Sequence, residues 1–316
     1  MAFLGGGILL AGCAGISSPS IPKGVPPQAP YDEKPSWSPD GSALAFIRGE
    51  GETLRVIDTR SGAKQVLLEG MTWNDEYVWS PDGQSLAVTS RRDGVTSKRC
   101  FGVRPCPELY VVYLDDRSPR RITHNRTYEQ APRWSPDGRQ LAFLSGHDPS
   151  DQRAWRDVWI TDLVRGTSRQ LTEDASIEQE LQWARNGRAL VVTIDDGNRF
   201  ELFMDRRRRA LAPELEQPVS KYYWETRSPR SRVVAYVSTQ DRNGRSCGID
   251  SGPPECEPNG ELYLRLPSGR QLRVTHTRVD ETYPTWSPDG RTLAFSSGGQ
   301  LWLVEADGSH LRRLTG

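Results

Sequence analysis

The chain has no apolar run of membrane-spanning length. Its longest candidate, within Met1–Cys13, falls short of the ~20 residues a helix needs. Net charge is also missing: 41 Lys and Arg balance 41 Asp and Glu, so charge gives no sign of a nucleic-acid partner. Lysine is scarce, at 5 against 36 arginines. Histidine is scarcer, at 4, and none stands in a His-x-His or His-Glu-x-x-His spacing that would suggest a metal enzyme. Gly-x-Ser-x-Gly occurs once, at Gly244-Arg-Ser-Cys-Gly248, where no apolar run leads directly into it as a strand-to-helix nucleophile elbow requires. No glycine loop leads into a helix, so nucleotide binding has no support.

What the chain does have is a repeated pentapeptide. It reads Trp37-Ser-Pro-Asp-Gly41, Trp79-Ser-Pro-Asp-Gly83, Trp134-Ser-Pro-Asp-Gly138 and Trp286-Ser-Pro-Asp-Gly290, with a worn copy at Trp183-Ala-Arg-Asn-Gly187. Pro presets φ at the second position of a type I turn, and Gly accepts the left-handed conformation that closes it. Such a turn joins two antiparallel strands. An apolar strand follows each copy at constant spacing, as in Leu44-Ala45-Phe46 and Leu293-Ala294-Phe295. Arg227-Ser-Pro-Arg-Ser231 before Val234-Ala235-Tyr236 is a sixth, degenerate copy. Trp224, three residues earlier, suggests a small insertion there.

Two more strand-like runs follow each hairpin. The third is aliphatic and aromatic (Leu109–Val112, Leu262–Leu264), and the fourth ends in Leu-Thr or a variant (Ile122-Thr123, Val274-Thr275). Six units of four short strands predict an all-β fold, a six-bladed β-propeller over residues 34–316. The turn, the Leu-Ala-Phe strand and the closing Leu-Thr resemble the WD-repeat-like blades of the TolB family. The resemblance implies the fold and leaves function open, because propellers host unrelated activities. TolB proteins also carry an α/β domain ahead of the propeller, for which this chain has no room, so TolB's own role is not implied. A prolyl-oligopeptidase-like propeller is a looser likeness, and no segment remains for its hydrolase domain.

Leu10-Ala11-Gly12-Cys13 resembles a bacterial lipobox. Residues 1–12 are then a signal peptide and Cys13 is the acylated, palmitate-bearing residue. Residues 13–33, rich in Ser and Pro, form a tether of semi-rigid polyproline II character reaching on the order of 60 Å. Ala14 after the cysteine resembles outer-membrane lipoproteins of Gram-negative cells. The expected location is therefore the cell envelope, lipid-anchored on the extracytoplasmic side and facing the periplasm. The four other cysteines suit that compartment. Cys100 with Cys106 and Cys247 with Cys256 occupy matched gaps in the second and fifth units, which points to two local disulfides. A zinc site fits worse, since the spacing is wrong and no histidine accompanies them.

Propeller topology puts the Ser-Pro-Asp-Gly turns on one face, and the long, variable loops on the other. Both cysteine loops belong to the loop-rich face, as does the 146–156 segment with His147 and Trp155. Five residues before the framework Trp stand Asp32, Glu129, Glu178 and Glu281, with Asp75 beside the equivalent Asn74. These carboxylates either ring the channel mouth, where a cation such as Ca could bind, or hydrogen-bond their own loops. Trp73, Tyr128, Tyr283 and Trp224 accompany them as aromatic anchors. His124 and His276 hold equivalent positions in opposite units, as a functional pair or as polar strand ends. Arg206–Arg209 reads as a solvated hairpin tip or a contact for anionic lipid heads.

The leading expectation is a lipoprotein without cofactor or nucleic-acid ligand, whose propeller binds a protein, peptide or envelope component on the loop-rich face. Its alternatives are a lyase or hydrolase acting on polysaccharide or peptide through the His and carboxylate cluster, and a structural organiser of an envelope complex.

Overall fold

A computed structural model describes residues 31–49, 52–71, 75–94, 105–116, 118–125, 127–146, 156–173, 178–194, 198–211, 224–239, 260–277 and 279–316, with backbone alone at 178 and 179. Their 24 strands make six four-stranded antiparallel sheets, each built from consecutive strands. Blade one is β1 (Asp32–Trp37), β2 (Ala43–Arg48), β3 (Thr53–Asp58) and β4 (Lys64–Glu69). Blade two is β5 (Tyr77–Trp79), β6 (Ser85–Ser90), β7 (Glu108–Tyr113) and β8 (Pro119–Arg121). Blade three is β9 (Tyr128–Trp134), β10 (Gln140–Gly146), β11 (Arg156–Asp162) and β12 (Thr167–Gln170). Blade four is β13 (Glu178–Trp183), β14 (Ala189–Ile194), β15 (Arg199–Phe203) and β16 (Arg208–Ala210). Blade five is β17 (Trp224–Arg227), β18 (Val234–Ser238), β19 (Glu261–Arg265) and β20 (Gln271–Arg273). Blade six is β21 (Glu281–Trp286), β22 (Thr292–Ser297), β23 (Gln300–Glu305) and β24 (Arg312–Arg313). The first strand begins at Asp32, so the last two residues of the predicted tether, Asp32 and Glu33, belong to the propeller.

The turn chemistry follows from the motif. In the first copy, Ser38 N–H donates to the Ala43 carbonyl and Gly41 N–H to the Ser38 carbonyl, each at 2.9 Å. Gly41 sits at φ +75°, where a side chain would be strained. Asp40 accepts from the Ser38 hydroxyl at 2.6 Å and from Ser42 N–H at 3.1 Å. Those bonds, the Ser38 hydroxyl's first, hold its carboxyl below the usual range.

The motif also ties neighbouring blades together. The indoles of Trp37, Trp79, Trp134, Trp183 and Trp286 donate to the carbonyls of Thr285, Ser36, Val78, Arg133 and Thr226 in the preceding blade, at 3.0–3.3 Å. Each accepting residue stands one before the preceding blade's Trp-equivalent position. The glycines add a second ring: Gly83 packs on Pro39, Gly138 on Pro81, Gly187 on Pro136 and Gly41 on Pro288.

Buried side chains fill the seams. One cluster joins blades one and two (Ile47, Met71, Leu86) and another blades three and four (Leu144, Leu181, Val192). Others join five and six (Val237, Phe295), six and one (Phe46, Leu303), and two and three (Val111, Phe143). Among the described residues, no comparable cluster spans blades four and five. There the framework residues are gone too: Arg227 replaces Trp, Arg185 replaces Pro and Ser231 replaces Gly. Arg227 pairs with Val234 as Trp37 pairs with Leu44, so it holds the Trp position and no insertion is present.

The closing Leu-Thr dipeptides mostly lie just beyond β8, β12, β20 and β24 rather than inside them. Thr hydroxyls replace the last ladder bonds. Leu109, Val158, Leu262 and Leu301 each donate their N–H to the hydroxyl of Thr123, Thr172, Thr275 and Thr315, at 2.8–2.9 Å.

Candidate binding site

The carboxylates five residues before the framework Trp are not an open ring. Asp32, Asp75, Glu129 and Glu281 are each 1% exposed. Asp32 faces Arg48 at 3.7 Å and Asp75 pairs with Arg91 at 2.9 Å. Arg91 also donates to the Tyr128 hydroxyl at 3.1 Å, which braces blade two against blade three. Glu129 accepts from Thr127 at 2.8 Å and Ser145 at 3.0 Å, and Glu281 from Thr277 at 2.8 Å and Ser297 at 2.9 Å. Burial pushes the Glu129 carboxyl up to about 8 despite these bonds, and Glu108 nearby adds to the rise. Burial likewise lifts Glu281 to about 7, with Glu261 contributing. The loop-bonding alternative describes Glu129 and Glu281, while Asp32 and Asp75 are held by arginines at the ends of the second strands. For Glu178 only the backbone is described.

A second set of acids was not read from the sequence. Glu108 and Glu261 open the third strands of blades two and five. Glu108 accepts from Thr123 at 2.8 Å and pairs with Arg121 at 2.9 Å. Glu261 accepts from Thr275 at 2.8 Å and pairs with Arg273 at 2.9 Å. Blade three uses Asp157, Gln170 and Thr172 for the same clamp. The available signal was an acid before each third-strand apolar run, matched by Arg or Gln two residues before the closing Thr.

The innermost strands carry a further layer, three residues before the Trp position. It reads Lys34, Glu76, Ala131, Glu180, Trp224 and Tyr283 around blades one to six. A bulge shifts the register in β1, β9, β13 and β21, and Lys34, Ala131 and Tyr283 sit at φ near +50°. In those four blades one extra residue locally shifts which face the neighbouring side chains take. Members of the layer meet across seams. Trp224 and Tyr283 lie with ring centroids 4.5 Å apart, and Glu76 accepts from Ala131 N–H at 3.1 Å. Burial lowers the Lys34 amine, against the charges of Glu33, Glu76 and Asp75. Burial raises the neighbouring Glu33. This belt along the first strands therefore combines an aromatic pair with a lysine and carboxylates. Trp224, predicted as an anchor, is 36% exposed, and Tyr283 is half-buried beside it.

Of the other predicted site residues, His124 and His276 are exposed at the ends of blades two and five, on opposite sides of the axis. They are not neighbours. Cys106 is buried and disulfide-bonded. Cys13, Trp73, Cys100, His147, Trp155, Cys247 and Cys256 lie outside the described residues. Among the described residues, no group of three or more His, Cys, Asp or Glu side chains could hold a metal ion. No helix among them is long and apolar enough to cross a membrane.

No protein-family model matches the chain. It is similar to tricorn protease homolog 1 of Streptomyces coelicolor, 27% identical over 298 residues, covering 87% of this chain and 24% of that protein. It is similar to the uncharacterized peptidase YuxL of Bacillus subtilis, 25% identical over 235 residues, 72% of this chain and 29% of that protein. The Tol-Pal system protein TolB of Anaeromyxobacter dehalogenans is 30% identical over 140 residues, 44% of this chain and 28% of that protein. The chain thus spans about a quarter of the length of these relatives. Among solved structures, an acylaminoacyl peptidase complex superposes with a TM-score of 0.56 at 12% identity, covering 91% of this chain and 52% of that one. Tricorn protease gives 0.50 at 13% identity, covering 90% and 26%. At these identities the likeness is one of fold: a TolB-like propeller.

Proposed function

We propose that this propeller is an extracytoplasmic binding module that receives an extended segment of a partner at its loop-rich mouth. The belt of Trp224, Tyr283, Lys34, Glu76 and Glu180 carries this reading. Aromatic faces bury the apolar parts of a ligand, while the fixed charges orient its polar groups. Two relatives named as a protease homolog and a peptidase favour a peptide over other ligands. The separation of the two histidines favours binding over catalysis. The lipobox would hold the module at the envelope through Cys13, and disulfides Cys100–Cys106 and Cys247–Cys256 would brace loops on opposite sides of the mouth.

Two measurements in cells test this. A palmitate analogue should label the protein, and Cys13→Ala should abolish the label. A photo-crosslinking residue at His276 or Tyr283 should trap a discrete partner, while one at Ser61 on the turn face should not. Equal trapping from both faces, or none from the mouth, would count against the assignment.

A further inference from the structure

The turn face carries a feature that binding at the mouth does not use. Blade four presents Arg185 and Arg188 at its first turn and Arg206–Arg209 at its second, all exposed. Blade five adds exposed Arg227, Arg230 and Arg232. Three of these stand at framework positions: Arg185 where other blades have Pro, Arg227 where they have Trp, and Arg230 where they have Asp. The changes concentrate guanidinium groups at the four–five seam. Four of them meet an acid: Arg206 pairs with Glu173, Arg207 with Asp205, Arg209 with Glu201 and Arg227 with Glu225. Arg185, Arg188 and Arg232 make no ion pair among the described residues.

We propose that this sector docks on the phosphate-bearing surface of an anionic bilayer. Hairpin tips of adjacent blades share one face, so many guanidinium groups can meet a flat surface together. Depressions of about 320 Å³ and 220 Å³ on that face lie at the six–one and two–three seams, away from blades four and five, and Val164 lines the second. Guanidinium binds phosphate oxygens in a bidentate fork and sheds water more readily than an ammonium. Val164, at the adjoining tip of blade three, is 78% exposed beside Arg165, giving an apolar point among basic ones as interfacial membrane binders have. A nucleic-acid strand would need free aromatic platforms for its bases. Here Phe203 lies under Arg207 and Arg209, and Phe200 under Arg208. The predicted tether, on the order of 60 Å, exceeds the ~20 Å height of a six-residue strand, so a lipid anchor and this face can reach one bilayer. With an acyl chain on Cys13, the basic patch would complete the two-signal arrangement that stabilises peripheral attachment.

The test uses the whole chain carrying Cys13→Ser, so that no acyl group contributes. Sedimentation with vesicles of phosphatidylcholine, with and without phosphatidylglycerol, measures binding. Wild type should bind only the anionic vesicles and be released by salt, because exposed charges are screened. Arg185→Gln/Arg188→Gln/Arg232→Gln should weaken binding at least ~10-fold, since each basic residue near such a surface contributes appreciably. Arg60→Gln/Lys64→Gln/Arg120→Gln, an equal charge change at exposed positions of blades one and two, should weaken it less than ~2-fold. Matching thermal melts would show that both variants fold. Absence of anionic-lipid dependence, equal loss in the two triples, or binding to an oligonucleotide or polyphosphate instead of vesicles would each overturn the proposal.

Discussion

Glu129 shows how one residue position can serve structure while looking functional. Its carboxyl is buried and bonded to Thr127 and Ser145, with a pKa raised from 4.5 to about 8. The folded state therefore keeps a proton that the unfolded chain has released. Stability should fall as pH rises from about 4.5 to about 8, then level off. Glu129→Gln removes the titration and keeps an acceptor for both hydroxyls. It should stabilise the protein by about 1–2 kcal/mol near pH ~9 and change little near pH ~5. Denaturant melts at the two pH values check this, and an unchanged difference between them would refute the linkage. Counting back from Trp located Glu129 but could not reveal its burial. The sequence marked Trp224 and Tyr283 of the belt as aromatic anchors but not Lys34, Glu76 and Glu180, because the position carries a different residue in every blade but two.

At the scale of elements, the hairpin turn does two jobs. It reverses the chain, and through the Trp indole it fastens one blade to the next. Trp79→Phe keeps most of the ring packing and strands the Ser36 carbonyl, so it should cost about 1–2 kcal/mol. Arg227→Trp does the opposite at the four–five seam, placing an indole where blade four offers the Gln182 carbonyl. It should add about 1 kcal/mol of stability and weaken anionic-vesicle binding. Urea melts read the first effect and sedimentation the second. A variant that gains neither stability nor loses binding would show that the substituted turn is decay rather than exchange. Turns and blade count were legible in the sequence because Pro and Gly encode backbone conformation locally. The Glu108–Arg121–Thr123 clamp was not, because its partners lie on two strands and vary in identity between blades.

Over the whole molecule, the two faces divide the work. The turn face holds the ring closed and gathers arginine on one side, although the chain as a whole is neutral. The first strands carry a belt of aromatic and charged side chains. The fold was readable from the repeat alone, and strand order agrees with it blade by blade. The ligand was not readable, because the residues that would meet it come from strands of six blades and share no motif. The most direct test is affinity for peptides selected from a displayed library against the intact chain. Trp224→Ala should weaken the selected peptides at least ~10-fold, as loss of a central aromatic anchor does, while Val164→Ala on the turn face should leave them unchanged. Unchanged affinity on loss of Trp224, or equal loss from Val164→Ala, would contradict a binding site at the mouth.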